Sequence, residues 1–300
     1  MVLCRGLSWE RKYLNSNFNS SQPSCKDTYN SISLVVAFDY IPGYTNTNTI
    51  KRFLYSLRYL DFSSNCSFAK KILALDILHP RYNKEKFLRE HEQFYLKLKK
   101  EFPELIICVP KSWGHLSGNL KNAFMSVQTE YVFVCQADLV FIREIDLGSL
   151  LPLPDGINHV LFNKGHNLKH LGVSPALQKE VGKLNLCKTE IWSDNNHLCK
   201  KTYYQETVFP LISGFSTFPE RIMTEHRNST NTNLGTYVYG AYKDSPYLRH
   251  IGDSKRVYLF WEKNLGNGIA RVLYKLFGGK FDSVLFALTK LIWRVYSKKL

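Results

Sequence analysis

Apolar and polar positions along the first half of the chain switch between two rhythms. Residues 31–38, SISLVVAF, are a short, β-branched apolar run without helical spacing, which predicts a buried strand ending at Asp39 and a Pro-Gly-Tyr turn. In TIKRFLYSLRYL (49–60), Ile50, Phe53, Leu54, Leu57 and Leu60 recur at helical spacing, with Thr47 to Thr49 as candidate N-caps. KILALDIL (71–78) predicts a second strand with Asp76 near its end. KEKFLREHEQFYLKLKKEF (84–102) places Phe87, Leu88, Phe94, Tyr95 and Leu98 on one helical face and charge on the other. LIICVP (105–110) predicts a third strand, followed by the glycine-bearing loop KSWGHLSGN and a helix through LKNAFMSV. The fourth strand, YVFVCQADLVF (131–141), is interrupted by Gln136-Ala137-Asp138. An ionised aspartate inside such a run is costly to bury without a partner. Strands alternating with helices predict βαβ units and a mostly parallel sheet.

The second half lacks that regularity. HVLFN (159–163), TYVYG (236–240) and RVYLFW (256–261) are strand-like, and a helix is expected near YYQETVFPLI (203–212). From Ile269 the chain becomes basic and amphipathic. Phe281, Val284, Leu285, Leu288, Ile292 and Val295 form one stripe, ringed by Lys275, Lys280, Lys290, Arg294, Lys298 and Lys299. Such a helix packs its stripe on its own core. The alternative is that it lies on an anionic membrane surface, for which Trp293 and Tyr296 are suited.

Composition narrows the classes. The 300 residues, 44% of them hydrophobic, suffice for a sizeable core, and a formal net charge of +15 favours anionic partners. Residues 1–30 are rich in Ser, Asn, Lys and Gln and predict an N-terminal extension. The seven cysteines show no CxxC and no Cys/His metal spacing, which suits a reducing compartment. No signal-peptide h-region opens the chain and no run of 18 apolar residues occurs. The expectation is a cytoplasmic protein, soluble or peripheral on the cytoplasmic membrane face. The basic residues are spread along the chain without an RNP, KH, zinc-finger or helix-turn-helix signature, so no nucleic acid is expected as partner.

The order VVAFDYIPGYTNTNTIKRFLYSL, ILALD, CVPKSWGHLSGNLKNAF and YVFVCQADLVF resembles the nucleotide-binding half of a GT-A-fold glycosyltransferase, similar to the inverting family-2 type. The resemblance covers residues 31–146, with looser support to about 256. It implies a GT-A, Rossmann-like α/β fold with a mostly parallel central sheet flanked by helices, a mixed acceptor-side region at 147–265 and C-terminal helices at 266–300. It implies transfer of a sugar from a nucleotide-diphosphate-sugar donor to a glycan or lipid-linked acceptor, with a divalent cation, Mn²⁺ or Mg²⁺. On that resemblance Asp39, Asp76, Gly114, Asn119, Gln136 and Arg256 fall at nucleotide-sugar-binding positions, and Asp138 and His250 at metal positions. Glu220 of FPERIM is the candidate catalytic base, with Asp194 of SDNNHL as runner-up. Gln136 stands where the family's DxD motif has its first aspartate. A glutamine there lowers the negative charge of a cation site; it can still offer a neutral oxygen, or donate to a ribose hydroxyl.

The chemistry fits those residue types. A leaving diphosphate is stabilised by a cation and basic groups, and an acceptor hydroxyl needs a carboxylate to take its proton. Three other readings compete: a basic nucleic-acid-binding protein, a sugar-1-phosphate nucleotidyltransferase, and a GT-A-shaped protein with weakened catalysis. The second needs a glycine-rich, Arg-containing loop directly after the first strand, and VVAFDYIPGYTNT is not one.

Overall fold

The computed structural model describes residues 31–42, 46–62, 66–82, 84–165, 178–181, 184–212 and 219–251. The extension at 1–30, the strand-like run 256–261, Arg256 and the amphipathic stretch 266–300 lie outside the described residues.

The first half builds β1 (Ser31–Phe38), α1 (Asn48–Ser56), a short β2 (Leu60–Asp61), β3 (Ser67–Leu75), α2 (Glu85–Glu101), β4 (Ile106–Cys108), α3 (His115–Phe124) and β5 (Tyr131–Gln136). β3, β1 and β5 are hydrophobic runs because both faces of the sheet are covered. Leu34, Val36, Leu73, Leu75 and Phe133 meet Ile50 and Phe53 of α1 and Phe94 and Leu98 of α2 on one face. Val35, Ala37, Ile72, Ala74, Val132 and Val134 meet Leu120, Ala123 and Phe124 of α3 on the other. Each such buried Leu, Val or Phe contributes about 1.5–3 kcal/mol. The result is a three-layer α/β/α arrangement.

The second half adds β6 (Leu139–Phe141), β7 (Ile145–Asp146), β8 (His159–Leu161), β9 (Gln178–Val181), β10 (Leu184–Lys188) and β11 (His197–Lys200). Helical segments follow: α4 (Lys201–Tyr203), a π-helical turn (Tyr204–Val208), α5 (Phe209–Ile212) and α6 (Pro219–Thr230), then β12 (Thr236–Tyr239) and β13 (Leu248–His250).

Among the described residues, nine strands form one sheet in the order β4-β3-β1-β5-β11-β8-β12-β10-β9. The β4-β3-β1-β5 half is parallel throughout, while β11 runs antiparallel to both β5 and β8. The mixed α/β class expected from the sequence is the one observed, and the sheet runs without interruption through both halves.

Two details position the site. The chain steps outward from β1 to β3 and β4, then returns to place β5 on the other side of β1. In open α/β sheets this reversal leaves a crevice at the carboxyl ends of the strands, where ligands bind. The run 131–141 is also not one strand. β5 ends at Gln136, the chain turns through Ala137-Asp138, and β6 leaves the sheet to pair with β13. That turn is pinned at the crevice, since Ala137 N–H donates to Ala37 O at 3.1 Å.

Candidate active site

Three of the expected carboxylates arrive at the carboxyl edge through strand ends. Asp39 follows β1 and is exposed. Asp76 follows β3 and is buried, its N–H donating to Phe38 O at 3.1 Å. Asp138 lies in the turn after β5, partly exposed. The backbone carbonyl of Asp76 is 3.0 Å from His91 Nε2 on α2, so that nitrogen carries the hydrogen. Burial pushes the His91 pKa down, which favours the neutral ring. Its edge packs on Tyr40, ring centroids 4.9 Å apart.

Gly114 and Asn119 shape α3. A Cβ on Gly114 would come within 2.8 Å of the Gly118 backbone Cα, so glycine is required for this close first turn. Asn119 is fully buried and its amide donates to Ala74 O at 2.8 Å. It ties α3 to the carboxyl end of β3.

Asp138 and His250, distant in sequence, are brought together. Pairing of β6 with β13 sets His250 opposite Leu139, and Ile251 N–H donates to Asp138 O at 2.7 Å. His250 Nε2 then lies 3.1 Å from Asp138 Oδ2, each side chain roughly a quarter exposed. Two donors about 3 Å apart match adjacent ligands of an octahedral ion with bonds of about 2.1 Å. Among the described residues no cluster of three His, Cys, Asp or Glu suitable for a metal occurs. One carboxylate and one imidazole nitrogen would fill two positions of an octahedral ion, leaving the others to waters and substrate phosphates.

The second assembly centres on Ser193–His197. Glu220 lies in the first turn of α6, behind Pro219 at a position where proline costs no hydrogen bond. Glu220 Oε1 accepts from Ser193 Oγ at 2.5 Å and from Asp194 N–H at 3.2 Å. Burial first, then the negative Glu220 beside it, pushes the Asp194 pKa up to about 8. Lys164, whose Nζ donates to Asn195 Oδ1 at 3.0 Å, opposes that rise. The rise favours one retained proton in the pair at neutral pH.

Asn196, fully buried, joins this segment to the Gln136 turn. Its Oδ1 accepts from Gln136 N–H and its Nδ2 donates to Leu139 O, both at 2.8 Å. Gln136 Nε2 donates to Asp194 O at 3.2 Å. Beneath lies a buried layer of His159, Trp192, His197 and Tyr204. His197 Nδ1 donates to Asn195 O at 2.5 Å and its Nε2 accepts from Tyr204 OH at 2.9 Å, Tyr204 coming from the π-helical turn. Burial lowers the His197 pKa to about 4 and that of His159 as well.

Thus Asp138 meets His250, and Gln136 and Asp194 meet Glu220 through the 193–196 segment. Asp39, Asp76 and Gly114 sit on the parallel side, and Arg256 lies outside the described residues. Sequence reading missed Ser193, Asn195, Asn196 and Lys164 as members. SDNNHL singles out Asp194 alone; the signal for its neighbours is four consecutive hydrogen-bonding residues, Ser193 to Asn196, with no glycine or proline to mark a solvated turn.

These shifts set a pH dependence of stability. The folded chain holds the Asp194 proton to about pH 8, whereas an unfolded aspartate releases it near 4, so stability falls as pH rises through that window. His91, His159 and His197 refuse protons that the unfolded chain accepts below about pH 6.5, so stability also falls on acidification. Below 6.5 three imidazoles outweigh one carboxyl. The melting temperature is expected to peak around pH 6.5, and Asp194→Asn to flatten the fall between roughly pH 6.5 and 8. Scanning calorimetry across pH checks it; an unchanged alkaline slope in the variant would refute the Asp194 assignment.

No helix among the described residues is long and apolar enough to cross a membrane. No protein-family model matches the chain, and no curated protein sequence matches it either. Among solved structures, the mannosyltransferase PcManGT from Pyrobaculum calidifontis, in complex with GDP-Man and Mn²⁺, is similar with a TM-score of 0.46 at 12% identity, over 87% of this chain and 70% of that one. Residues 1–349 of S. aureus TarS give a TM-score of 0.41 at 15% identity over 78% of this chain. The longer TarS structure gives 0.39 at 15% identity. The chain spans 65% and 40% of the lengths of those two TarS structures.

Proposed function

We propose that the protein is a glycosyltransferase that moves a sugar from a nucleotide-diphosphate-sugar to an acceptor hydroxyl, with inversion and with a divalent cation. The observation that carries this reading is the meeting of Asp138 with His250 at the crevice beside β1 and β5, while Glu220 and Asp194 are joined to the same β5 turn through Asn196 and Gln136. One assembly offers a hard carboxylate and an imidazole nitrogen for a cation; the other offers a carboxylate that already accepts hydrogen bonds.

Asp138 and His250 would hold the cation, which supplies charge stabilisation for the departing diphosphate. Asp39 and Asp76, at the ends of β1 and β3, border the crevice where the nucleoside would lie. Glu220 takes the proton of the acceptor hydroxyl as that oxygen attacks the anomeric carbon from the face opposite the diphosphate. Ser193 and the Asp194 N–H orient the Glu220 carboxylate. The protonated Asp194 keeps a second negative charge away from it. A glycan or lipid-linked acceptor remains the proposed class, reached from the side of β11 and α6, and a cytoplasmic, peripheral placement is the corresponding proposal for location.

A thermal-shift panel of UDP, GDP, CMP and dTDP, each with and without Mn²⁺, tests the donor site. One nucleoside diphosphate is expected to raise the melting temperature in a Mn²⁺-dependent manner, because a ligand that binds only the folded state stabilises it by mass action. No shift with any of the four counts against the proposal.

A further inference from the structure

We propose that Gln136 is a positioning residue: its side-chain amide holds the Ser193–Asn195 backbone in the register that presents Glu220, and it is not a ligand of the cation. The inference rests on the reading of Glu220 as base, and it answers why an amide stands where a carboxylate is expected.

Residue 136 is bound to the 193–196 segment twice. Its backbone N–H donates to Asn196 Oδ1 at 2.8 Å and its Nε2 donates to Asp194 O at 3.2 Å. A backbone carbonyl only accepts, so the amide nitrogen must be the atom that faces it. The same Asp194 residue donates its N–H to Glu220 Oε1 at 3.2 Å, and Ser193 Oγ donates to that oxygen at 2.5 Å. Gln136 thus anchors the short stretch of chain from which both Glu220 contacts arise.

Charge explains the residue type. A glutamate at 136 would turn an acceptor toward Asp194 O and add a third carboxyl to Asp194 and Glu220, with Lys164 the cation that acts on the Asp194 carboxyl. Two acceptors facing each other lose the hydrogen bond and leave both groups poorly paired. An aspartate is also one methylene shorter than glutamine. Asp138, two residues on, turns to His250 on β13 at 3.1 Å, so the cation donors and the amide of Gln136 serve different partners.

The test compares Gln136→Glu, which swaps donor for acceptor at constant shape, with Gln136→Met, which removes polarity at similar length. Melting temperatures are read on the full chain at pH 5 and pH 8, and Mn²⁺ alone is titrated calorimetrically. Gln136→Glu is expected to melt about 3–6 °C below wild type at pH 8 and only about 1–3 °C below it at pH 5, where a protonated glutamate can donate to Asp194 O. Gln136→Met is expected to fall by a similar amount at both pH values, and neither variant tightens Mn²⁺ binding. Tenfold tighter Mn²⁺ binding by Gln136→Glu overturns the proposal. Melting temperatures equal to wild type in both variants overturn it too. Should Gln136→Met fail to fold, the pH contrast of Gln136→Glu decides alone: larger than the wild-type contrast supports the proposal, equal to it refutes it. These readouts need no sugar nucleotide. A negative nucleotide panel would remove the proposed function and leave the result at Gln136 standing, and the converse also holds.

Discussion

Glu220→Gln is expected to lower glycosyl transfer by about 10²- to 10⁴-fold, the contribution usual for a positioned general base, with Mn²⁺-dependent nucleotide binding unchanged. The substitution is nearly isosteric. Ser193 Oγ and the Asp194 N–H can still donate to the remaining carbonyl oxygen, so α6 and the 193–196 segment keep their places. What disappears is the basic oxygen. Transfer rates under saturating donor, with nucleotide binding by thermal shift as control, give the reading. Activity within a few-fold of wild type would remove Glu220 from the role. If Asp194→Asn then proved the inactive variant, the base would be Asp194, and the shared proton would have to sit on Glu220.

The second large effect is expected at Asp138. Asp138→Asn removes a charge and leaves the turn intact, because the bond from Ile251 N–H goes to the backbone carbonyl of residue 138. Mn²⁺ affinity is expected to fall by roughly 10- to 100-fold or more, since a hard divalent ion loses its one carboxylate at the His250 pair. Transfer falls with it by about 10²- to 10³-fold, the scale of losing one stabiliser of developing charge. Titration of Mn²⁺ in the presence of the nucleotide that the panel selects measures the first, and rate against Mn²⁺ concentration the second. Wild-type affinity in Asp138→Asn would dissociate the cation from this turn and place the catalytic charge elsewhere. The two variants are separable: one keeps ligand binding and loses chemistry, while the other loses both.

Much of the parallel half is legible in the sequence. SISLVVAF became β1 and KEKFLREHEQFYLKLKKEF became α2 within two residues at each end, because a strand covered on both faces and an amphipathic helix write their period into neighbouring residues. Other boundaries moved. The interruption of YVFVCQADLVF at Gln136-Ala137-Asp138 is legible, but not its consequence, that β6 pairs with β13, a segment more than a hundred residues away in sequence. The antiparallel strands β9, β10 and β11 carried little signal. QKEV, LNLCK and HLCK are short, and their place depends on neighbours already present in the sheet.

The site divides the same way. By itself the sequence determined which residues could do chemistry at the carboxyl edge: Asp39, Asp76 and Asp138 each close an apolar run, and such runs end where the chain leaves the sheet. It also marked Glu220 and Asp194 as carboxylates of interest. Only the tertiary structure decided which of them meet. Asp138 faces His250 because β6 pairs with β13; the Asp194 N–H meets Glu220 because α6 is packed against the 193–196 segment; Gln136 donates to Asp194 across a gap of 58 residues in sequence. A periodic pattern is a property of a few adjacent side chains and survives in the sequence. A hydrogen bond between distant segments depends on strand register and on burial, which exist once the sheet has assembled.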